Sequence, residues 1–175
     1  MARLLGISGS LRKDSTNTKL VKEAARLFEP EHFEMADIRL PLYDGDLEAR
    51  GMPEEVVRLK DQILAADAIV ISTPEYNKAM SGVLKNALDW VSRFQPFPTK
   101  DKPCAVISAA NGFAGGQRAT SALYLVLVPF GVNFVFAPEV AVGNSGEKFD
   151  ENGRLKDEAA EKFLKKKMEA LRAAI

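Results

Sequence analysis

One cysteine, one histidine and one tryptophan are all that 175 residues contain of those three types. A lone cysteine, Cys104, excludes an internal disulfide and any cysteine-built metal site. A lone histidine, His32, falls inside an expected strand, which leaves a Ser-His-Asp hydrolase without its base. Net charge is absent as well, because 24 lysines and arginines balance 24 aspartates and glutamates. Such a chain has no long-range attraction for nucleic acid or for an anionic membrane, and neither partner is expected. No apolar run approaches membrane-spanning length. The short apolar start carries one arginine and does not read as a secretion signal, so a cytoplasmic protein is expected. Internal repeats, low-complexity segments and linkers are also missing, and residues 1–175 read as one domain. No GxGxxG follows the first apolar run, which leaves a Rossmann dinucleotide site unsupported.

What is present alternates. The apolar start at residues 2–7 reads as a strand, and Leu20, Val21, Ala24, Ala25, Leu27 and Phe28 fall at helical spacing after it. Residues 32–38 form a second strand, and 40–46 a loop punctuated by Pro and Gly. Val56, Leu59, Ile63 and Leu64 stripe a helix that starts at Pro53. Residues 67–72 and 103–109 are short, apolar and not alternating, as strands buried on both faces are. Ser81 caps a helix between them, with Leu84, Ala87, Leu88, Val91 and Phe94 on one face. A further helix over 117–128 is apolar nearly all round in its second half, Ala122 to Val128, which calls for cover such as a subunit interface would give. A strand at 132–136 and a final helix after Asp157, with Phe163, Leu164, Met168 and Leu171 inward, complete the chain. Lys165, Lys166 and Lys167 read as that helix's solvated face. Trp90 and Phe94 are expected at an interface, because the stripe beside them already fills the core.

Five βα units predict an α/β fold: a doubly wound, five-stranded parallel sheet of flavodoxin-like order 2-1-3-4-5, with helices on both faces. In that order the loops after strands one, three and four gather around one crevice. The first loop, GSLRKDSTNT, joins a strand to a helix start, where unpaired N–H groups and the helix dipole favour an anion. Ser10, Ser15, Thr16 and Thr18 add hydroxyls, Asn17 an amide and candidate helix cap, and Arg12 a guanidinium fork. The others, TPEYN and SAANGFAGG, offer backbone donors and little bulk, as a flat heteroaromatic ring requires. A phosphorylated flavin fits all three together.

These segments resemble the NAD(P)H-dependent FMN reductases, a flavodoxin-like family that includes quinone, chromate and azo-dye reductases. The matching stretches are GSLRKDSTNT, LPLYDGD, TPEYN followed by SGVLKNALDWVSR, NGFAGG with Arg118, and Pro138-Glu139. The resemblance implies that Ser10, Arg12, Ser15, Asn17 and Thr18 hold the FMN phosphate. It implies that Pro74, Glu75, Tyr76 and Asn77 meet the isoalloxazine, and that Ser108, Asn111, Gly112, Gly115 and Gly116 line its other edge. Tyr76, Arg118 and Glu139 align with a polar cluster used between subunits of family dimers and tetramers. The implied donor is NADPH or NADH, the acceptors are small molecules such as quinones, azo compounds, metal oxyanions or flavins, and no metal is implied. The chemistry then belongs to the flavin N5 and no catalytic side chain is nominated. One departure stands out. The family often has Asn-x-Ser-x-Pro-Gly after the tyrosine, where this chain has Asn77-Lys78-Ala79-Met80-Ser81-Gly82. The rival reading, a non-enzymatic electron carrier of the flavodoxin type, expects an acidic docking surface that this neutral chain lacks.

Overall fold

The two fully apolar segments lie side by side at the centre of the sheet. The structure, a computed structural model that describes residues 2–175, pairs β3 (Ala68–Thr73) with β4 (Pro103–Ala109), and every residue of both is buried. On one side follow β1 (Arg3–Ser8) and then β2 (His32–Met35), and on the other β5 (Asn133–Val135). All these pairings are parallel and the order is β2-β1-β3-β4-β5, the expected flavodoxin-like arrangement. The helices are α1 (Thr16–Phe28), α2 (Gly45–Ala49), α3 (Glu54–Ala65), α4 (Gly82–Val91), α5 (Gln117–Leu127) and α6 (Glu158–Ala173).

Side chains alternate across each strand, so both faces need cover. Leu4, Val70 and Ile107 pack against Leu20, Val21 and Phe28 of α1 and Leu164, Met168 and Leu171 of α6. Leu5, Ile69, Ile71 and Val106 pack on the other face, against α3, α4 and α5 through Leu59, Ile63, Leu84, Leu88, Leu123 and Leu127.

Several positions differ from their sequence pattern. Leu64 and Phe163, expected inward, are exposed at the margins of their helices. Residues 40–46 contain the start of a helix, because the Asp44 carboxylate caps α2 by accepting from the Asp46 N–H. Trp90 is no interface residue: it is fully buried, its indole N–H donates to the Pro41 carbonyl at 2.8 Å, and Tyr43 meets its ring edge-on. Asn86 fastens the same loop, donating to the Pro41 carbonyl and accepting from the Tyr43 N–H. The LPLYDGD segment is thus tied to α4, which explains why Trp90 falls outside the apolar stripe yet inside the molecule.

The expected last strand, 132–136, is shortened to β5, and after a break a further short strand follows it. β5 pairs with the first part of β4, and a short β6 (Ala141–Val142) pairs with Ser108 and Ala109 at its carboxyl end. Lys167, expected in solvent, is fully buried, and its amine donates to the Phe136 and Pro138 carbonyls at 2.9 and 3.1 Å. The break deprives those carbonyls of ladder partners, and a long side chain from α6 supplies donors instead.

Burial lowers the Lys167 amine to about 8 and pushes the Cys104 thiol up to about 12. The signs oppose each other. Folding disfavours the lysine's proton, so this term stabilises increasingly as pH rises from about 8 towards 10.5, the ordinary lysine value. Folding favours the thiol's proton, so that term destabilises once pH exceeds about 9, the ordinary thiol value. Between pH 8 and 9.5 the lysine term is the larger, and the thiol term offsets about half of it in the native protein. Cys104→Ala is expected to unmask a rise in unfolding free energy of roughly 1–2 kcal/mol over that range. Lys167→Met should instead show a fall of roughly 1 kcal/mol. Urea midpoints at three pH values test both, and parallel slopes for the two variants would refute the assignment.

Candidate active site

The crevice forms where the loops after β1, β3 and β4 leave the sheet at its carboxyl edge. It is a cleft of about 620 Å³, within the range of small-molecule and cofactor sites. Ser10, Arg12, Ser15 and Asn17 line one side, and Pro74, Glu75 and Tyr76 the next. Asn111, Gly112, Gly115, Gly116 and Arg118 close the far side.

The first loop ends in a cap. The Ser15 hydroxyl oxygen accepts from the N–H groups of Asn17 and Thr18 at 3.2 and 3.3 Å, so Ser15 rather than Asn17 caps α1. The N–H groups of Ser15 and Thr16 make no hydrogen bond among the described residues. They are the donors a helix start leaves for an anion. Arg12 adds a guanidinium with no ion pair among the described residues. On the loop's outer side the Lys19 amine lies 2.6 Å from the Asp14 carboxylate and holds that group below the usual carboxylate range.

Asn17 is committed elsewhere. Its side chain donates to the Ala109 carbonyl at 2.9 Å and accepts from the Ser72 hydroxyl at 2.8 Å and the Ala109 N–H at 3.1 Å. It ties α1 to the ends of β3 and β4. Thr18 does not line the cleft; its hydroxyl donates to Ser8 at 2.9 Å.

The β3 loop projects Tyr76. Tyr76 and Ala79 exchange backbone hydrogen bonds at 2.9 and 3.1 Å across Asn77 and Lys78, both at positive φ (51° and 68°). That is the geometry of a two-residue type I′ hairpin. Asn77 sits in this turn and is not among the cleft residues. Ser81, where the family pattern has proline, caps α4 and donates to the Gly9 carbonyl. It therefore fastens the β3 loop to the β1 loop. Glu75 accepts from the Arg118 guanidinium at 2.7 Å and from the Arg118 N–H at 3.2 Å, linking the β3 loop to the start of α5. Glu139 instead accepts from Gln117 at 3.1 Å, beside that pair and outside the cleft.

The β4 loop is built on backbone proximity. Ser108 is buried beneath it and donates to the Gly115 carbonyl at 2.7 Å. Gly115 has a φ of +63°, and a Cβ there would come within 2.5 Å of the Ala141 backbone of β6. Only glycine permits that approach. Ser145 was not legible in the sequence, because it lies in the turn-rich connection after β6. It lines the cleft, donates to the Asn111 carboxamide oxygen at 3.3 Å and lies 3.1 Å from the Thr16 hydroxyl. Thus it closes the ring of contacts between the first and last loops. Among the described residues no cluster of histidine, cysteine and carboxylates stands ready for a metal.

A phosphorylated flavin fits this donor set: unpaired helix-start N–H groups and a free guanidinium at one end, small residues and backbone at the other. A family model for NADPH-dependent FMN reductase matches residues 2–147. The chain is 43% identical to an NAD(P)H-dependent FMN reductase of Pseudomonas aeruginosa, over 97% of this chain and 92% of that one. It is 39% identical to an NADPH:quinone oxidoreductase of Arabidopsis thaliana, over 99% and 91%. Among solved structures it superposes on the flavoenzyme NAD(P)H:(acceptor) oxidoreductase FerB from Paracoccus denitrificans, with a TM-score of 0.89 and 37% identity, over 99% and 96%. On the matched loops, the sheet order and this similarity over nearly its whole length, the chain belongs to the NADPH-dependent FMN reductase family.

Proposed function

We propose that this cleft holds FMN with its phosphate at the β1 loop and its ring against the β3 and β4 loops, and that quinones are its principal acceptors. The observation that supports the reading most is the pair of unpartnered N–H groups at the start of α1, on residues that line a cleft whose far wall is rich in glycine. Bound there, FMN supplies two-electron chemistry, taking a hydride equivalent from NAD(P)H and delivering it to a small-molecule acceptor.

The chain's own residues orient and enclose. Ser15 and Thr16 N–H groups with Arg12 hold the phosphate; Ser10 adds a hydroxyl at the same end. Glu75 and Arg118 neutralise each other across two loops, which leaves that part of the wall polar without a net charge. Asn111, braced by Ser145, presents its amide to the ring edge. No protonated side chain is needed at the reacting atoms.

Residues 1–175 act in this reading as one domain of a cytoplasmic homodimer or homotetramer. Support for assembly comes from α5 and its surroundings, where Leu125, Val128 and Phe136 are exposed. No helix among the described residues is long and apolar enough to cross a membrane. The purified protein should be yellow, release FMN on denaturation and oxidise NAD(P)H with a quinone. A colourless protein that binds no added FMN would overturn the reading. A yellow one that oxidises no NAD(P)H with any acceptor would favour the electron carrier.

A further inference from the structure

Phe113 is 91% exposed, the largest exposure among the bulky apolar side chains of the described residues, yet it lines the cleft. Its backbone is not loose. A Cβ on Gly143 would come within 2.3 Å of the Phe113 carbonyl oxygen, so the strip after β6 presses directly on that peptide. Gly115 donates back to the Gly112 carbonyl at 3.0 Å, and Ser145 donates its N–H to the Ala110 carbonyl at 3.1 Å. The ring, by contrast, makes no aromatic or cation contact among the described residues. A held backbone with an unpacked ring at the rim of a ligand cleft is a side chain placed for something other than this fold. Tyr76, half exposed, stands on the neighbouring loop over the same cleft.

We propose that Phe113 selects planar aromatic acceptors by stacking against them at the cleft mouth. The inference rests on the FMN reading above. In the overall reaction NAD(P)H, a proton and a quinone give NAD(P)+ and a hydroquinone; two electrons and two protons reach the quinone oxygens, and Phe113 exchanges none of them. Its contribution is contact area on the acceptor's π-face. Small quinones depend on such contact because they offer only two carbonyl oxygens besides their faces. The nicotinamide donor brings ribose and phosphate groups that anchor it independently, and a compact anionic complex such as ferricyanide presents no flat face. Loss of the ring should therefore penalise quinones selectively.

The test compares holoenzyme with Phe113→Ala, Phe113→Leu and Phe113→Tyr. Removing one stacked ring is expected to lower the quinone-to-ferricyanide ratio of kcat/KM about fivefold to tenfold, through the quinone KM. The tyrosine variant should restore the ratio and the leucine variant should not. A second readout needs no turnover: 1,4-naphthoquinone titrated into oxidised holoenzyme, followed by flavin absorbance, should bind Phe113→Ala more weakly by a similar factor. FMN affinity, measured separately by fluorescence, should stay within about twofold, since stacking is assigned to the acceptor. An unchanged ratio, equal losses for both acceptors, or a loss of FMN affinity as large as that of the quinone would overturn the proposal. If the native protein binds FMN and reduces quinones while the ratio does not move, this inference alone fails. If it binds no FMN, both readings fall.

Discussion

Ser15→Asp should bind FMN at least about a hundredfold more weakly than the native protein while binding riboflavin almost as well. The substitution keeps the fold because aspartate caps a helix as well as serine does, and the carboxylate can accept from the same Asn17 and Thr18 N–H groups. The helix dipole even favours the new charge in the free protein. What changes is the anion site. A carboxylate then sits at the start of α1, beside the free Ser15 and Thr16 N–H groups assigned to the phosphate. Two unit charges about 5 Å apart at an effective dielectric of about 20 repel by about 3 kcal/mol, and a phosphate carries more than one charge. Riboflavin lacks the phosphate, so it reports on the ring pocket alone. Fluorescence titration of apo-protein with both ligands separates the outcomes. Equal weakening of both would mean a damaged cleft. Undiminished FMN binding would place the phosphate elsewhere, and the groove beside the loop, lined by Lys13, Lys19 and Lys22, would be the next site to test.

The sheet order was legible because two runs, 67–72 and 103–109, are short and largely apolar without alternation, and only central parallel strands bury both faces. The three cleft loops followed from that order. What stayed hidden depends on partners distant in sequence. Lys167 reads as one of three solvated lysines until the break between β5 and β6 exposes two carbonyls beneath it. Trp90 reads as surplus to its stripe until Pro41 turns back to accept its N–H. Ser145 reads as loop until Thr16 and Asn111 close on it across the cleft. In each case a side chain satisfies backbone or loop groups 29 or more residues away, which local periodicity does not encode.

Asn17 is the sharpest instance, and its removal should be the most damaging single change to the fold. Asn17→Ala is expected to lower apo-protein stability by about 3–5 kcal/mol. Three hydrogen bonds disappear together, leaving the Ser72 hydroxyl and the Ala109 N–H and carbonyl buried without partners. Each such group loses its water on folding and regains nothing. Asn17→Asp separates this role from phosphate binding. It keeps the acceptor for Ser72 and the Ala109 N–H, but faces the Ala109 carbonyl with an oxygen where a donor stood. Burial against that carbonyl raises the new acid's folded pKa, so its protonated form is the one that fits. Stability of Asn17→Asp should therefore recover as pH falls towards 5, while that of Asn17→Ala should not. Urea unfolding of the apo-proteins reads both. A loss below about 1 kcal/mol for Asn17→Ala would mean that water takes over the amide's bonds. The larger loss would mean that Asn17 acts on the cofactor through geometry: it fixes α1 against the ends of β3 and β4, and so sets the spacing between the loop assigned to the phosphate and the loops assigned to the ring.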